Sequence, residues 1–347
     1  MTKASKPSQK DIAIAAGVSQ ATVSFVLTHR SVENGISRDT QRRVEEAAQR
    51  LGYSPNVAAQ SLRGGRTGLI GVHTYERIFP ASPDHYYHQF LIGLEEEASS
   101  LGLDLVLFTS AQRSTSSRSV FEGGHNRMRL ADGAVILGAR KNDDELQRLA
   151  DEGFPIVSVG RPSRPNPRIA SVRADYRSVL LTTVDQLAEL GHRRILYTGH
   201  IERLPARTER FEGYLEGCDR RGIDAGAPAW TDPMSIRGQW VADVVRSGVT
   251  AIVAETTAHA HAIHTAALAA GVHTPADLSL VCLDVSSNPG DFVPWSHIVV
   301  PRYEMGRRAL HLLHRLLDDP SVAGRVDSLA CEPAHLSTLA APSSAAA

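Results

Sequence analysis

Gln20, Ala21, Ser24, Phe25 and Thr28 recur at the spacing of one helix face, and their side chains are small or polar apart from one aromatic. Side chains of this kind can reach the edges of base pairs when a short helix lies in a major groove. The other clustered chemistry is His259, His261 and His264 in one helical stretch. Their spacing gives no i, i+4 pair of the kind a helical metal site uses, so no metal site is expected. The sequence shows no phosphate-binding Walker loop, no Gly-x-Ser-x-Gly elbow and no paired-carboxylate signature, so neither an enzyme nor a cofactor is expected. Cys218, Cys282 and Cys331 lie far apart with no metal-type spacing and read as reduced thiols of a cytosolic protein.

The outward-facing set needs two short helices around a tight turn, and Ser8–Thr28 (SQKDIAIAAGVSQATVSFVLT) supplies them. Ile12, Ala15 and Ala16 make the apolar face of the first helix, and Gly17 ends it because glycine tolerates a left-handed backbone. Ser19 offers a cap for the second helix, in which Val23, Val26 and Leu27 face inward. A plain helical hairpin is the alternative reading of this pattern. Charge favours DNA: residues 1–66 hold ten Lys or Arg against five acids, a local charge of +5 in a chain whose net charge is −1. A basic head on a mildly acidic body suits a polyanionic partner for the head alone.

Ser37 caps a third helix, Arg38–Leu51, with Val44, Ala47, Ala48 and Leu51 as its stripe. The extended joint Tyr53-Ser54-Pro55-Asn56 follows, then Val57–Arg63, two helical turns that are marginal without a partner. The run KDIAIAAGVSQATVSFVL, followed by ISRDTQRRVEEAAQRLGYSPNVAAQSLRGGRTGLIGV, resembles the head and hinge of the LacI/GalR family of bacterial transcription repressors. The resemblance implies base-edge contacts from Gln20, Ala21 and Phe25. It implies phosphate or base contacts from Gln9, Lys10, Ser19, Ser24 and Thr28. It also implies a hinge helix over Asn56–Arg63, in which Leu62 enters the minor groove flanked by Gln60 and Arg63. Many family members carry arginine where this chain has Phe25. Phenylalanine cannot pair with guanine, so it packs either on a thymine methyl or on the head's own core.

From Leu69 onward, short apolar runs alternate with helical patterns: strands at Leu69–Thr74, Leu103–Thr109, Ala134–Leu137, Pro155–Val159, Arg194–Thr198, Ala251–Ala254 and Leu278–Leu283. Helices are expected at Tyr86–Leu101, Arg118–Arg129, Asp143–Glu152, Tyr176–Leu190, Glu209–Gly222, Val241–Arg246 and Ala258–Ala270, with another opening near Met305. Such alternation indicates parallel sheets covered on both faces, in two successive α/β halves with a cleft between them. The expected fold is therefore a small all-α helix–turn–helix head plus an α/β body of two Rossmann-like subdomains. That body resembles the type I periplasmic binding proteins. The expected divisions are a head over 1–55, a hinge over 56–66, a two-lobed body over 67–340 and a disordered tail over 341–347.

The resemblance places effector contacts at Tyr86, Tyr87, Arg210, Glu255 and Asp284, with Arg210 and Asp284 gripping sugar hydroxyls and an aromatic face stacking on the ring. Glu255-Thr256 stands where the family usually has Asn-Asp, and Val285 where a second acid is common. The implied protein is a homodimer, with a tetramer as the alternative, that binds double-stranded operator DNA under control of a small carbohydrate effector. No apolar run approaches the roughly 20 residues of a membrane span, and MTKASKPSQKD lacks the apolar core of a signal peptide, so a cytoplasmic location with no membrane partner is expected. The rival class is a sugar-binding or sugar-converting α/β protein. A periplasmic receptor would carry a signal peptide and no head, and a sugar kinase would carry a phosphate-binding glycine loop.

Overall fold

The computed structural model describes residues 7–27, 31–53, 66–76, 86–109, 119–284, 295–334 and 337–343. The chain divides into two compact units, Met1–Thr67 and Gly68–Ala347.

The first unit holds α1 (Gln9–Ala16), α2 (Gln20–Leu27) and α3 (Arg38–Arg50). Ser8 caps α1 in a capping box with Asp11, and Gly17 ends it at φ 64° with its N–H on Ala13 and Ile14 carbonyls. The chain then bends by 106° into α2, the angle range of a helix–turn–helix. Ser19 accepts the Thr22 N–H at 3.1 Å, and Ser37 accepts the Thr40 N–H at 3.2 Å. The core gathers Ile12, Ala13, Ala16, Val23, Val26, Val44, Ala47 and Ala48. Two expected core residues are displaced. Ala15 is exposed and Ala13 buried in its place, because α2 and α3 pack on the side of α1 between Ile12 and Ala16. Leu51 is exposed: it follows the last turn of α3, where the Tyr53 N–H returns to the Ala48 carbonyl and the Tyr53 ring covers the core instead.

The second unit is built on two six-stranded sheets. In chain order the first lobe contributes β1 (Leu69–Thr74), α4 (His88–Leu101), β2 (Asp104–Phe108), β3 (Phe121–Glu122), β4 (His125–Asn126), β5 (Gly133–Leu137), α5 (Asp143–Asp151), β6 (Ile156–Val159) and β7 (Ala170–Asp175). The second contributes α6 (Tyr176–Glu189), β8 (Ile195–Gly199), α7 (Pro205–Arg221), β9 (Ala229–Trp230), α8 (Gly238–Arg246), β10 (Ala251–Ala254), α9 (Thr257–Ala269), β11 (Ser279–Cys282) and β12 (Ser296–Val299). The chain closes with α10 (Arg302–Asp318), β13 (Val326–Ala330) and β14 (Glu332–Ala334).

The halves are not successive. The first sheet runs β13-β7-β6-β5-β1-β2, all parallel, and α10 packs on α4; the chain's end has returned to the first lobe. The second sheet runs β14-β12-β11-β10-β8-β9, antiparallel only at β14. Three segments therefore cross between the lobes, at 175–176, 299–302 and 330–332. Tyr176, Val300 and Cys331, one from each crossing, belong to one buried cluster that runs through both lobes.

Two helix expectations are also corrected. The helix expected over Arg118–Arg129 is not formed by its described residues, 119–129: Gly123 and Gly124, at φ 56° and 82°, turn a hairpin of β3 and β4, followed by one turn of 3-10 helix at Arg127–Leu130. Consecutive positive-φ glycines fit a two-residue hairpin loop and oppose a helix. The helix expected from Tyr86 starts at His88, leaving Tyr86 and Tyr87 in the preceding turn. All three cysteines are buried thiols. Among the described residues no single helix is long and apolar enough to cross a membrane.

His192 fixes the chain's end to the second sheet. Its Nδ1 accepts from the Thr250 hydroxyl at 2.8 Å and its Nε2–H donates to the Ala340 carbonyl at 3.0 Å. Both bonds use the neutral ring, and burial lowers the His192 pKa below its ordinary 6.5; burial does the same to His259. The unfolded chain thus takes up protons near pH 6.5 that the folded chain does not. Stability is full above that pH and is lost as pH falls below it, by about 1.4 kcal/mol for each unit a histidine is lowered. A melting temperature that falls between pH 7 and about 5, above the range where carboxylates titrate, is the expected result. A flat profile over that window would contradict it.

Candidate functional site

The head presents one shallow depression, about 330 Å³, lined by Gln9, Gln20, Ala21, Ser24 and Phe25. It lies where the start of α1 meets the outer face of α2. Five residues read as DNA contacts from the sequence are thus brought to one place. Phe25 is not part of the head's core; it lines the depression. Ser19 is exposed beside it with its oxygen engaged in the α2 cap, and Lys10 is exposed on α1. Thr28, Asn56, Gln60, Leu62 and Arg63 lie outside the described residues.

In the second unit, the loops at the carboxyl ends of the strands converge between the lobes, the usual ligand position of open α/β sheets. Arg210, on the second turn of α7, is buried; its guanidinium lies 4.3 Å over the Tyr176 ring and its Nη1–H donates to the Glu255 carbonyl at 3.2 Å. Arg302, the first residue of α10, is also buried; it holds the Asp284 carboxylate at 2.5 Å and lies 5.0 Å over the Tyr86 ring. The expected Arg210–Asp284 pair is therefore an Arg302–Asp284 pair, with Arg210 nearby. Tyr86 and Tyr176 line one small cavity, about 40 Å³, together with Lys141, Arg161 and Glu209.

Two expected contacts serve other ends. The Tyr87 ring is buried, and its hydroxyl donates to Glu76 while accepting from Thr74 at 3.3 Å. Glu255 is fully buried and its carboxylate is saturated. It accepts from the Tyr197 hydroxyl at 2.9 Å, the His200 N–H at 3.0 Å and Arg203 at 2.6 Å, with Arg207 at 3.7 Å. Glu255 thus organises Arg203 of the loop after β8 and Arg207 at the start of α7, and Arg203 in turn stacks on Trp230 at 4.2 Å. The three clustered histidines are packed apart. His259 accepts from the Thr256 hydroxyl at 2.8 Å and donates to the Thr231 carbonyl at 3.1 Å, while His261 and His264 flank the Trp295 ring. Among the described residues no group of three His, Cys, Asp or Glu could hold a metal.

Sequence reading missed Arg302, Tyr176, Lys141 and Arg203. Arg302 and Tyr176 open helices directly after strands, and that position was the available signal. Two ion pairs span the lobes: Arg140 with Glu202, at 2.6 and 2.5 Å, and Arg161 with Glu209 at 3.3 Å. Beyond the second pair, an open groove of about 520 Å³ adjoins the cavity. Its Arg177 and Glu216 form a bidentate pair at 2.6 and 2.8 Å.

A helix–turn–helix head with a reading face and a two-lobed body with a polar cleft define a class of protein: a DNA-binding regulator with a ligand-binding body. A family described as "Bacterial regulatory proteins, lacI family" matches residues 8–56, and one described as "Periplasmic binding protein-like domain" matches residues 184–334. The chain is 33% identical to the maltose regulon regulatory protein MalI of Escherichia coli, over 64% of this chain and 62% of that one, a little under two thirds of its length. Its fold matches that of the lac repressor dimer bound to operator and the anti-inducer ONPF, with a TM-score of 0.74 and 24% identity over 97% of this chain and 100% of that one. It also matches that of a transcriptional regulator CelR–cellobiose complex, with a TM-score of 0.64 and 24% identity over 96% and 99%. Both parts of a LacI-type regulator, the lacI-family head and the periplasmic binding protein-like body, are thus matched in this chain.

Proposed function

We propose that this protein is a homodimeric repressor of carbohydrate-related genes, released from or loaded onto its operator by a small ligand held between the lobes. The observation that carries the DNA half of this reading is the convergence of Gln9, Gln20, Ala21, Ser24 and Phe25 on one face of the head. A sugar effector is supported by the relatives: one is named for the maltose regulon and one solved structure holds cellobiose. A cavity of about 40 Å³ is far below the few hundred Å³ of ordinary ligand sites, so a ligand must part the lobes to enter. Parting them breaks Arg140–Glu202 and Arg161–Glu209. Ligand binding then favours one lobe arrangement over another, and the segment 56–66, which we assign as a hinge with Leu62 as its minor-groove wedge, carries that difference to the head. The ligand is bound and released unchanged, and a tetramer is the alternative assembly.

Selection of bound duplexes from a random pool tests this directly. The expected product is a two-fold symmetric site whose yield changes with a sugar. Gln20→Ala is expected to weaken the selected site by about 1–3 kcal/mol, and Phe25→Arg to move preference toward guanine at the facing base pair. An asymmetric product, or unaltered fluorescence anisotropy titrations for both variants, would remove the reading.

A further inference from the structure

The chain enters the body through one residue whose direction is set by a distant side chain. Gly68 opens the second unit, and its backbone lies at φ 72°, a left-handed bend just before β1. Its N–H donates to the Asp132 carboxylate at 2.9 Å, and its carbonyl accepts from the Asp104 N–H at 2.9 Å. The Leu69 carbonyl accepts in turn from the Asp132 N–H at 2.9 Å. All three bonds tie the root of the segment to the first lobe, at the amino ends of β2 and β5, the two strands that flank β1.

Asp132 is itself well placed to act as an anchor. It follows the 3-10 turn Arg127–Leu130, whose Met128 is fully buried and whose start is capped by the Asn126 side chain. Gly68 has no side chain to hold it, and a Cβ built on it would meet nothing within 4 Å among the described residues. Glycine passes readily between left- and right-handed backbone regions, so no side-chain packing selects this bend. The bond from its N–H to a carboxylate does, and such charge-assisted bonds are among the stronger kinds.

We propose that Asp132 is a positioning residue for operator binding: it holds the bend at Gly68 and thereby fixes the direction in which the segment to the head leaves the first lobe. The proposal rests on the reading of residues 56–66 as the hinge. With the bend held, the hinge starts from a defined place and direction, and ordering it on DNA costs less entropy. With the bond lost, Gly68 samples both hands, and the same head contacts are made at a larger entropic cost. Phosphate contacts that any duplex offers need no fixed hinge, so the loss falls on the operator and not on unrelated DNA.

The test uses the full-length protein and fluorescence anisotropy with two duplexes, the operator obtained by selection and an unrelated sequence of equal length. Asp132→Ala is expected to weaken operator binding about tenfold, the equivalent of one charge-assisted hydrogen bond, and to leave the unrelated duplex within about twofold. Asp132→Asn keeps an acceptor oxygen and should recover most of the loss. Gly68→Ala approaches the same bond from its other end. Alanine disfavours φ 72° but strikes nothing there, so it should reproduce the Asp132→Ala effect without a packing defect. Peptide-level hydrogen exchange gives a readout that lost stability alone would not: faster exchange in Asp132→Ala confined to residues 66–70. A role in body stability alone would speed exchange throughout the first lobe and leave the ratio of the two affinities unmoved. An unmoved ratio in both Asp132→Ala and Gly68→Ala overturns the proposal, as does an Asp132→Asn protein that binds the operator no better than Asp132→Ala. Leu62→Ala separates the two claims: if it leaves operator binding unmoved, the wedge of the hinge reading falls, while the Asp132→Ala ratio still decides this proposal.

Discussion

Glu255→Ala is expected to cost the body about 3–5 kcal/mol, the range for removing one partner of a buried ion pair. Glu255 is fully buried, and three groups rest on its carboxylate: the Tyr197 hydroxyl, the His200 N–H and the Arg203 guanidinium. Tyr197 is itself fully buried, so its hydroxyl has no water to turn to. Arg203 keeps its stacking on Trp230 but loses its counter-ion. The midpoint of urea unfolding, followed by tryptophan fluorescence, reads this directly, and Glu255→Gln, which keeps one acceptor, should fall between. The same change should blunt any response to ligand, because Glu255 also anchors the segment whose carbonyl positions Arg210. If Glu255→Ala unfolds within about 1 kcal/mol of the parent, the carboxylate is not the organising centre described.

Gly306→Ala is the second large effect. Helices α4 and α10 cross so closely that a Cβ on Gly306 would overlap the Phe90 carbonyl oxygen, and one on Gly93 would overlap the Tyr303 carbonyl oxygen. Both obstacles are backbone, so no side-chain rotation relieves them. The helices must separate, opening the contact that buries Phe90 and Leu94 against Met305, Ala309 and Leu310. The expected loss is about 3 kcal/mol, the upper end for overpacking a core. Function should suffer with stability. Tyr86 stands just before α4 and Arg302 begins α10, so the glycine crossing sets the 5.0 Å between the guanidinium and the ring. Thermal unfolding and limited proteolysis of Gly93→Ala and Gly306→Ala check this, and parent-like melting in both would show that the helices are not clamped by these glycines.

The reading head was legible because its determinants are local. Ser8, Gly17, Ser19 and Ser37 specify caps and a turn within three or four residues, and helical spacing puts Gln20, Ala21, Ser24 and Phe25 on one side without help from the rest of the chain. The body strands were legible as short apolar runs because a buried parallel strand needs only that. Strand Ala170–Asp175 was not, being built partly of Ala, Ser and Arg, nor was the hairpin at 121–126, where a helical spacing of polar residues concealed the consecutive glycines.

The cleft divides differently. Arg210 and Asp284 were found through family resemblance, yet the partner of Asp284 is Arg302, 18 residues on, and the partners of Glu255 lie 52 to 58 residues away. Amino-acid types and local spacing by themselves determined the caps, the strands, the basic head and the outward face of α2, since each follows from interactions within a few residues. Only the tertiary structure decided that α10 and β13 return to the first lobe, that Glu255 is sealed inside the protein, and that Asp284 pairs with Arg302. Strand order and charge pairing join residues far apart in the chain, and burial strengthens or penalises each charge according to neighbours that no local pattern records.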